Sequence, residues 1–332
     1  MNDIVLKRID VFTTTPFAGN PAGVVLHADD LDGRTMQSLA AQMKMNLIET
    51  AFVSGSRKAG TDFRVRFFTP DKELEMSGHV MIGACFALIE EGMIDLSEGL
   101  TRTVFETRMG NISLEIYFRS DYESGNATDF DGTGIFIRAG GRRNGILERI
   151  MMLQPVYRFI PCDIPLGELA GVLGVDPSEI SNTGLPVVRA SNEIDWLIIP
   201  VKSKETICGM RPDLIKLGIL NRKYNTFGNH VFSLDTFDSS CITYSRNFSP
   251  AMGLWEDPAS ASGSSGLGTY LRHFGITSSG SMVMQQGNEK DNLARILVEI
   301  EGEAGREDVV KVGGLAVTSI QRKLELAPAE TV

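Results

Sequence analysis

The segment from His79 to Ile89 carries no charged side chain, and its apolar residues lie on every side of the helix that they predict. The apolar run ends only at Glu90 and Glu91. Such a helix has to be enclosed by protein, because water would otherwise meet its apolar surface. The neighbouring segments favour strands, so the simplest enclosure is a curled sheet wrapped around one central helix.

A motif of small residues precedes this helix, and a related motif occurs far along the chain. Ser77 and Gly78 open the first helix, while residues 257–263, Asp-Pro-Ala-Ser-Ala-Ser-Gly, open a second helix that is poor in charge. The first turn of a helix offers unpaired N–H groups and the positive end of the dipole, which bind anions. Such residues also serve as ordinary caps without a ligand. The recurrence favours two facing half-sites for a substrate carboxylate, with these substrate-binding residues: Ser77, Gly78, Ser260, Ala261, Ser262 and Gly263.

Hydrophobic periodicity predicts the other elements. It gives strands at 4–12, 24–26, 50–53, 63–67, 196–201, 296–300 and 315–320, and helices at about 31–45, 79–92 and 166–173. Asn46 is expected to end the helix at 31–45. The segment 121–145 is rich in Asp, Gly, Asn and Arg and has no clear period, so we expect a linker or insertion there.

Length and charge restrict the class of protein. A chain of 332 residues is expected to form about two domains, and 42% hydrophobic with 22% charged residues is ordinary for a globular protein. Residues 1–12 lack the features of a signal peptide, and no apolar run approaches the roughly 18 residues of a membrane span. A net charge of −10 disfavours nucleic acid as a partner. We therefore expect a cytoplasmic protein that binds neither membranes nor nucleic acid.

The four cysteines lie far apart, at Cys85, Cys162, Cys208 and Cys241, without the spacing of zinc ligands. We expect buried thiols and no metal. The nucleotide-binding patterns GxxxxGK[ST] and GxGxxG do not occur in the sequence. The chemistry is therefore expected to need no cofactor.

Three residues are candidates for catalysis. Glu49 lies in an apolar stretch, so burial is expected to raise its pKa towards the range that general acid–base catalysis uses; the alternative is a Glu bonded to local backbone or facing water. His79 titrates near neutrality, although a lone His at a helix start is more often a capping or packing residue. Asp257 either orients that His or caps the second helix, which is the commoner role. The GxSxG pattern, which is typical of a serine nucleophile, does not occur in the sequence.

Several short motifs carry a resemblance that runs nearly end to end. They occupy residues 10–12, 16–25, 49–53, 64–70, 78–79, 184–186, 246–250, 256–260 and 312–314. In this order they resemble the phenazine-biosynthesis PhzF-like family of the diaminopimelate-epimerase-like superfamily. Each motif is weak alone, and the ordered set is specific.

The resemblance implies an α+β fold of two pseudo-symmetric domains, each a barrel-like, mostly antiparallel sheet around a central helix. It implies a first domain at 1–125, completed by a returning strand at about 312–322, and a second domain at 146–311. It also implies a homodimer and an active site in the cleft where the two helix starts meet.

The resemblance assigns roles residue by residue. Glu49 corresponds to the glutamate that moves a proton, and the supporting His, Asp and Ser correspond to His79, Asp257 and Ser262. Asn20, within the matching stretch 16–25, joins the substrate-binding residues. The expected function is a cofactor-independent isomerase that moves a proton within a small carboxylate-bearing substrate, since family members isomerise a dihydro-hydroxyanthranilate.

Two alternatives stay open. Epimerases and racemases of the superfamily use two thiols, and this chain has Ser77 and Ser260 at those places, which disfavours them. The other alternative is a catalytically silent protein that binds small acids. Two departures from the family bear on the substrate: Ala261 replaces a glycine, so its methyl is expected to narrow the carboxylate pocket, and residues 288–292 replace a Gly-Arg-Pro-Ser run after Gln286-Gly287.

Overall fold

The computed structural model describes residues 4–42, 49–120, 134–139, 143–192, 194–288, 292–302 and 308–324. The chain divides into two compact units. The first unit comprises residues 1–152 with 314–332, and the second comprises 153–313. Sheets and few helices make up both units, so the predicted α+β class is confirmed.

The helices and strands are numbered in chain order. They are β1 (Ile4–Val11), β2 (Asn20–Leu26), α1 (Gly33–Gln42), β3 (Glu49–Gly55), β4 (Phe63–Phe68), β5 (Glu73–Leu74), α2 (Gly78–Glu90), β6 (Gly99–Thr107), β7 (Gly110–Arg119), β8 (Ile135–Ala139), β9 (Arg143–Gln154), β10 (Arg158–Pro161), α3 (Leu166–Leu173), α4 (Pro177–Ser181), β11 (Val188–Ser191), β12 (Trp196–Pro200), α5 (Lys204–Gly209), α6 (Leu214–Tyr224), β13 (Gly228–Ser233), β14 (Thr243–Ser249), β15 (Leu254–Asp257), α7 (Ala261–His273), β16 (Ser281–Gln286), β17 (Ala294–Glu301), β18 (Val309–Gly314) and β19 (Ala316–Leu324).

The two units repeat one topology. In the first, the strands pair in the order β9-β7-β6-β4-β3-β2-β1-β19, with β2–β3 and β4–β6 parallel and the other pairs antiparallel. In the second, the order is β18-β17-β16-β14-β13-β12-β11-β10, with β12–β13 and β14–β16 parallel. Parallel neighbours need a crossover, and α2 and α7 lie in the equivalent crossovers β4 to β6 and β14 to β16.

Helix α2 is enclosed, as the apolar run predicts. Its residues from Val80 to Ile89 are all buried, and it packs against β1, β2, β3 and β19. Gly83 permits a close approach, since a Cβ there would lie 3.2 Å from the Cβ of Ala22 and 3.3 Å from Cγ2 of Val11. The first unit therefore forms its core around this helix.

Helix α7 is buried by different means. It packs against β11, β12, β13 and β17, and much of its buried surface is Gly and Ser. A Cβ at Gly268 would lie 2.7 Å from Cγ1 of Val298, so a larger residue there would displace the helix from β17. Small residues, together with the buried Leu267, Tyr270 and Leu271, bring this helix against its sheet.

The segment 121–145, expected to be a linker or an insertion, contains strand residues where it is described. Residues 135–139 form β8, which pairs with β9 beginning at 143, and β9 pairs with β7 as far as Met152. Residues 146–152 therefore lie in the first unit, whereas the resemblance implied a second domain that begins at 146. Residues 121–133 and 140–142 lie outside the described residues, as does Asn46, the expected end of α1.

The cysteines only partly match the expectation of buried thiols. Cys85 and Cys241 are buried, Cys162 is half-buried and Cys208 is exposed. Cys208 belongs to the short helix α5, whose last turn faces solvent at this position. No helix in the described ranges is long and apolar enough to cross a membrane.

Candidate active site

Glu49 is the first residue of β3, beside Ala22 of β2 in a parallel pair. Burial raises the pKa of its carboxyl group, and a hydrogen bond from the Ser77 side chain partly offsets that rise by favouring the ionised form. The start of a strand fixes its backbone, because the ladder with β2 and β4 begins here. The site thus contains a positioned carboxyl group whose pKa is raised above its ordinary value.

The hydroxyl of Ser77 is used unusually for a residue at a helix start. Ser77 is the N-cap of α2, with φ −141° and ψ 121°, yet its side chain makes no capping hydrogen bond. The Ser77 hydroxyl instead donates a hydrogen bond to the Glu49 carboxylate, and its oxygen lies 3.4 Å from Nδ1 of His79. The Ser77 hydroxyl is therefore not the cap of α2, although the start of the helix still favours an anionic ligand through its dipole.

Asn20 is buried at the start of β2 and is held by a constrained loop. Phe17 and Gly19, just before it, have φ +67° and +65°. A Cβ at Gly19 would lie 2.2 Å from the main-chain oxygen of Val11, so only glycine fits. The buried carboxylate of Asp10 accepts the Phe17 N–H at 2.6 Å. This bond stabilises a backbone conformation that non-glycine residues rarely adopt.

The second motif is capped in the ordinary way. Ser260 is the N-cap of α7, and its hydroxyl oxygen accepts the N–H of Gly263 at 3.2 Å. Asp257 instead accepts the N–H of Ala259 at 3.2 Å, so it is not the helix cap, because the cap position falls three residues later. Ala261 is 6% exposed. Ser262 is half-buried beside it.

Gln286 holds the loop that leads into α7. Its Nε2 donates to the main-chain oxygen of Asp257 at 2.8 Å, and its Oε1 accepts the N–H of Ser260 at 3.1 Å. The side chain is fully buried on β16. This residue was not predicted as a site residue, and its place at the end of an alternating strand is the signal in the sequence. One amide thereby fixes both ends of the turn before the helix.

The start of α7 rests on a buried polar pair. A Cβ at Gly263 would lie 2.6 Å from Nδ1 of His230 and 2.7 Å from Nδ2 of Asn247. The Asn247 amide donates to His230 Nδ1 at 2.9 Å. Burial lowers the pKa of His230 to about 3, so its ring is neutral at neutral pH. Glycine at 263 is therefore required for the helix to approach these two strands.

The structure places the candidate residues in two groups, each within one unit. Glu49, Ser77 and His79 are brought together in the first, with Gly78 in the same first turn. The second unit holds Asp257 and residues 260–263. In the described ranges no three His, Cys, Asp or Glu side chains are grouped to hold a metal ion.

The family model described as "Phenazine biosynthesis-like protein" matches residues 9–322. The chain belongs to this family. A relative from Pseudomonas chlororaphis, named trans-2,3-dihydro-3-hydroxyanthranilate isomerase, is 30% identical over 315 residues, which is 93% of this chain and 95% of the relative. The resemblance inferred from the sequence is confirmed, and membership of this family makes the chain an isomerase.

Solved structures agree with the fold of this phenazine biosynthesis-like protein. A crystal structure of the Bacillus anthracis phenazine biosynthesis protein of the PhzF family has a TM-score of 0.79 at 26% identity and covers 98% of this chain and 100% of that one. A hydroxyproline epimerase from Agrobacterium vitis has a TM-score of 0.56 at 12% identity and covers 98% of this chain and 91% of that one. The fold is therefore shared with epimerases.

Thiol chemistry finds no support at the motifs of this family member. The positions that the superfamily gives to thiols hold Ser77 and Ser260. Cys85, inside α2, is fully buried, and burial raises the pKa of its thiol. Burial also raises the pKa of the Cys241 thiol. Neither thiol is therefore activated as a base.

Proposed function

We propose that this chain moves a proton within a small carboxylate-bearing substrate, with Glu49 as the group that removes and returns the proton. The observation that carries this proposal is the half-buried Glu49 carboxyl group, which Ser77 hydrogen-bonds and whose pKa is raised above its ordinary value by burial. The Pseudomonas chlororaphis relative is named for a dihydro-hydroxyanthranilate, which is a small carboxylic acid.

One carboxyl group is sufficient for the proposed isomerisation, because it can both accept and return the proton. In an isomerisation the proton leaves one carbon and returns to another while a double bond moves, so no electrons are gained or lost. Ionised Glu49 accepts the proton, and the Ser77 hydrogen bond favours that ionised form. The protonated carboxyl then returns the proton to the new carbon. A balanced proton shift of this kind calls for no redox cofactor.

Two helix starts are proposed to bind the substrate carboxylate. The first turn of α2, which the Ser77 hydroxyl does not cap, lies beside Glu49, and residues 260–263 begin α7. His79, 3.4 Å from the Ser77 hydroxyl, is proposed to assist the proton movement. Asp257 is proposed to support it. We also propose, as the resemblance implies, that the two motifs face each other across a cleft and that the protein is a homodimer. A cytoplasmic location is proposed from the sequence composition.

The proposed proton transfer is tested by following hydrogen exchange with deuterated water. Trans-2,3-dihydro-3-hydroxyanthranilate is incubated with the enzyme in deuterated water and observed by proton NMR. The wild type is expected to move the double bond and to place deuterium at the carbon that receives the proton. Glu49→Gln is expected to lose about 10²–10⁴-fold in turnover, the usual contribution of a general acid–base.

A matched control is Glu115→Gln. Glu115 is another buried carboxylate of the first unit, but Arg102 contacts it at 3.0 Å. This variant is expected to retain turnover. Full activity of a folded Glu49→Gln protein would remove Glu49 from the mechanism.

The same deuterium-exchange measurement, applied to amino and hydroxy acids, separates the alternative functions. Exchange at the α-carbon of an amino or hydroxy acid, with inversion, would identify an epimerase that works without the missing thiols. Thermal stabilisation by the acid without any exchange would identify a silent binding protein.

A further inference from the structure

The indole ring of Trp196, on β12, contacts the first turn of α7. Its Nε1 donates a hydrogen bond to Oγ of Ser262 at 3.2 Å, and Trp196 is 2% exposed. An indole N–H can only donate, so the Ser262 oxygen is the acceptor wherever the hydroxyl proton points. The serine therefore enters this bond with a lone pair and keeps its own O–H.

Neighbouring groups hold both partners in place. The Trp196 ring packs against Phe227, with centroids 5.1 Å apart, and a Cβ at Gly228 would lie 2.6 Å from its Cζ3. The main-chain oxygen of Ser262 accepts the Tyr157 hydroxyl at 2.9 Å. The ring thus has no room to turn away, and the serine backbone is tied down.

The Ser262 O–H has no acceptor within the described part of the protein, where Trp196 is the one group bonded to its oxygen. Ser262 is half-buried, whereas Ala261 and Gly263 on either side are buried. An acceptor that reaches this O–H from outside the protein completes the bond. A carboxylate oxygen is a strong acceptor, and the start of a helix favours its negative charge.

We propose that Trp196 is a positioning residue, which fixes the Ser262 hydroxyl as a hydrogen-bond donor to the substrate carboxylate. This inference rests on the proposed function, which places that carboxylate at the start of α7. The arrangement selects a ligand with an acceptor oxygen here. An ammonium group is disfavoured because the positive end of the helix dipole repels its charge.

The first test is a double-mutant cycle on binding. The probe is 3-hydroxyanthranilate, an aromatic acid with the same kinds of substituent as the relative's substrate, and its affinity is measured by calorimetry. Ser262→Ala and Trp196→Phe are each expected to weaken binding about five- to tenfold, as loss of one hydrogen bond does. The double variant is expected to bind no more weakly than Ser262→Ala alone, because Trp196 acts through Ser262.

The control for packing is Phe159→Leu. It removes a ring that packs against Tyr270 of α7, eight residues beyond Ser262, so it is expected to lower stability and keep affinity. Ser262→Thr, which retains a hydroxyl, is expected to restore most of the affinity lost in Ser262→Ala. Affinity losses that multiply in the double variant would overturn the role of Trp196.

A second measurement uses the unaltered tryptophan, in case Trp196→Phe does not fold. The chain has two tryptophans, and Trp255→Phe assigns the two indole N–H signals in a nitrogen-15 spectrum. Adding 3-hydroxyanthranilate is expected to shift the Trp196 signal in the wild type and not in Ser262→Ala. An unmoved signal despite calorimetric binding overturns this inference alone, whereas no binding by the wild type overturns the proposed function as well.

Discussion

A buried carboxyl group such as Glu49 costs the folded state free energy at neutral pH, because burial disfavours its charged form. Its folded pKa lies above the ordinary 4.5, so its contribution to stability is greatest below pH 4.5 and falls as the pH rises through the folded pKa. Glu49→Gln removes this cost. We expect the variant to melt at a higher temperature than the wild type at pH 7 and at nearly the same temperature at pH 4, by calorimetry. A lower melting temperature at pH 7 would contradict this.

His230 makes stability depend on pH in the opposite direction to Glu49. Its pKa is about 3 in the folded protein against 6.5 ordinarily, so the unfolded chain binds more protons between those values. The contribution of His230 to stability is therefore fully present above pH 6.5. Below that pH the free energy of unfolding falls by about 1.4 kcal/mol for each pH unit. Urea unfolding in the Glu49→Gln background, which lacks the opposing slope, is expected to show this dependence.

The variants His230→Gln and His273→Gln test the assignment. His230→Gln is expected to flatten the slope between pH 5 and 6.5. His273→Gln alters an exposed histidine on α7 and is expected to preserve it. An unchanged slope in folded His230→Gln would show that another group titrates.

Single residues were predictable where their immediate neighbours carry the signal. Glu49 stands out as an acid within an apolar stretch, and the raised pKa agrees with the expectation drawn from those neighbours. Gln286, His230 and Trp196 were missed, since their partners at the start of α7 lie far along the chain. Only the folded sheet brings these side chains to that helix.

At the scale of elements, the loop between β15 and α7 depends on one strand, β16. Gln286→Met leaves the N–H of Ser260 and the main-chain oxygen of Asp257 without this partner, at a cost of about 1–3 kcal/mol for the buried Ser260 N–H. We also expect turnover to fall at least about tenfold, because the motif loses the bond that fixes its turn. Steady-state kinetics and urea unfolding measure the two effects.

The adjacent Gln285 is a matched control on the same strand. Its Oε1 accepts the N–H groups of Phe237 and Asp238, in a loop away from the motif. Gln285→Met is therefore expected to lose stability and keep turnover. Equal losses of turnover in both variants would mean that Gln286 acts through general stability.

Elements were predictable where their period was strong. The enclosed helix α2 and strand β4 follow directly from an apolar run and from alternation in the sequence. The hairpin of β8 and β9 was expected to be a linker or an insertion, because turn-forming residues surround short apolar alternations there. Its pairing with β7 is a long-range contact that local pattern does not reveal.

At the scale of the whole molecule, the repeated small-residue motif was enough to predict two similar halves. The repeated strand order, with two parallel pairs in each unit, was not visible, because no sequence repeat accompanies it. Similar topology needs only similar placement of apolar positions and crossovers. The two units reach it with different residues, apolar in α2 and small in α7.

The two units differ in how the chain builds them, which gives a final prediction. The second unit is one continuous segment, 153–313, whereas the first needs β19 from beyond it. Strand β19 pairs with the whole of β1, and its Thr318 bonds Glu90 at the end of α2, which Lys7 also contacts at 3.0 Å. Without β19 the edge of β1 and part of the α2 core would be exposed.

We therefore expect residues 153–313, expressed alone, to give a dispersed amide NMR spectrum and to unfold cooperatively. Residues 1–152 alone are expected to aggregate or to give a collapsed spectrum. Joining residues 1–152 to 314–324 through a flexible linker is expected to restore a dispersed spectrum, since it returns β19 to β1. A well-folded 1–152 fragment would show that β19 is dispensable, because the remaining sheet and α2 would then suffice to bury the core of the first unit.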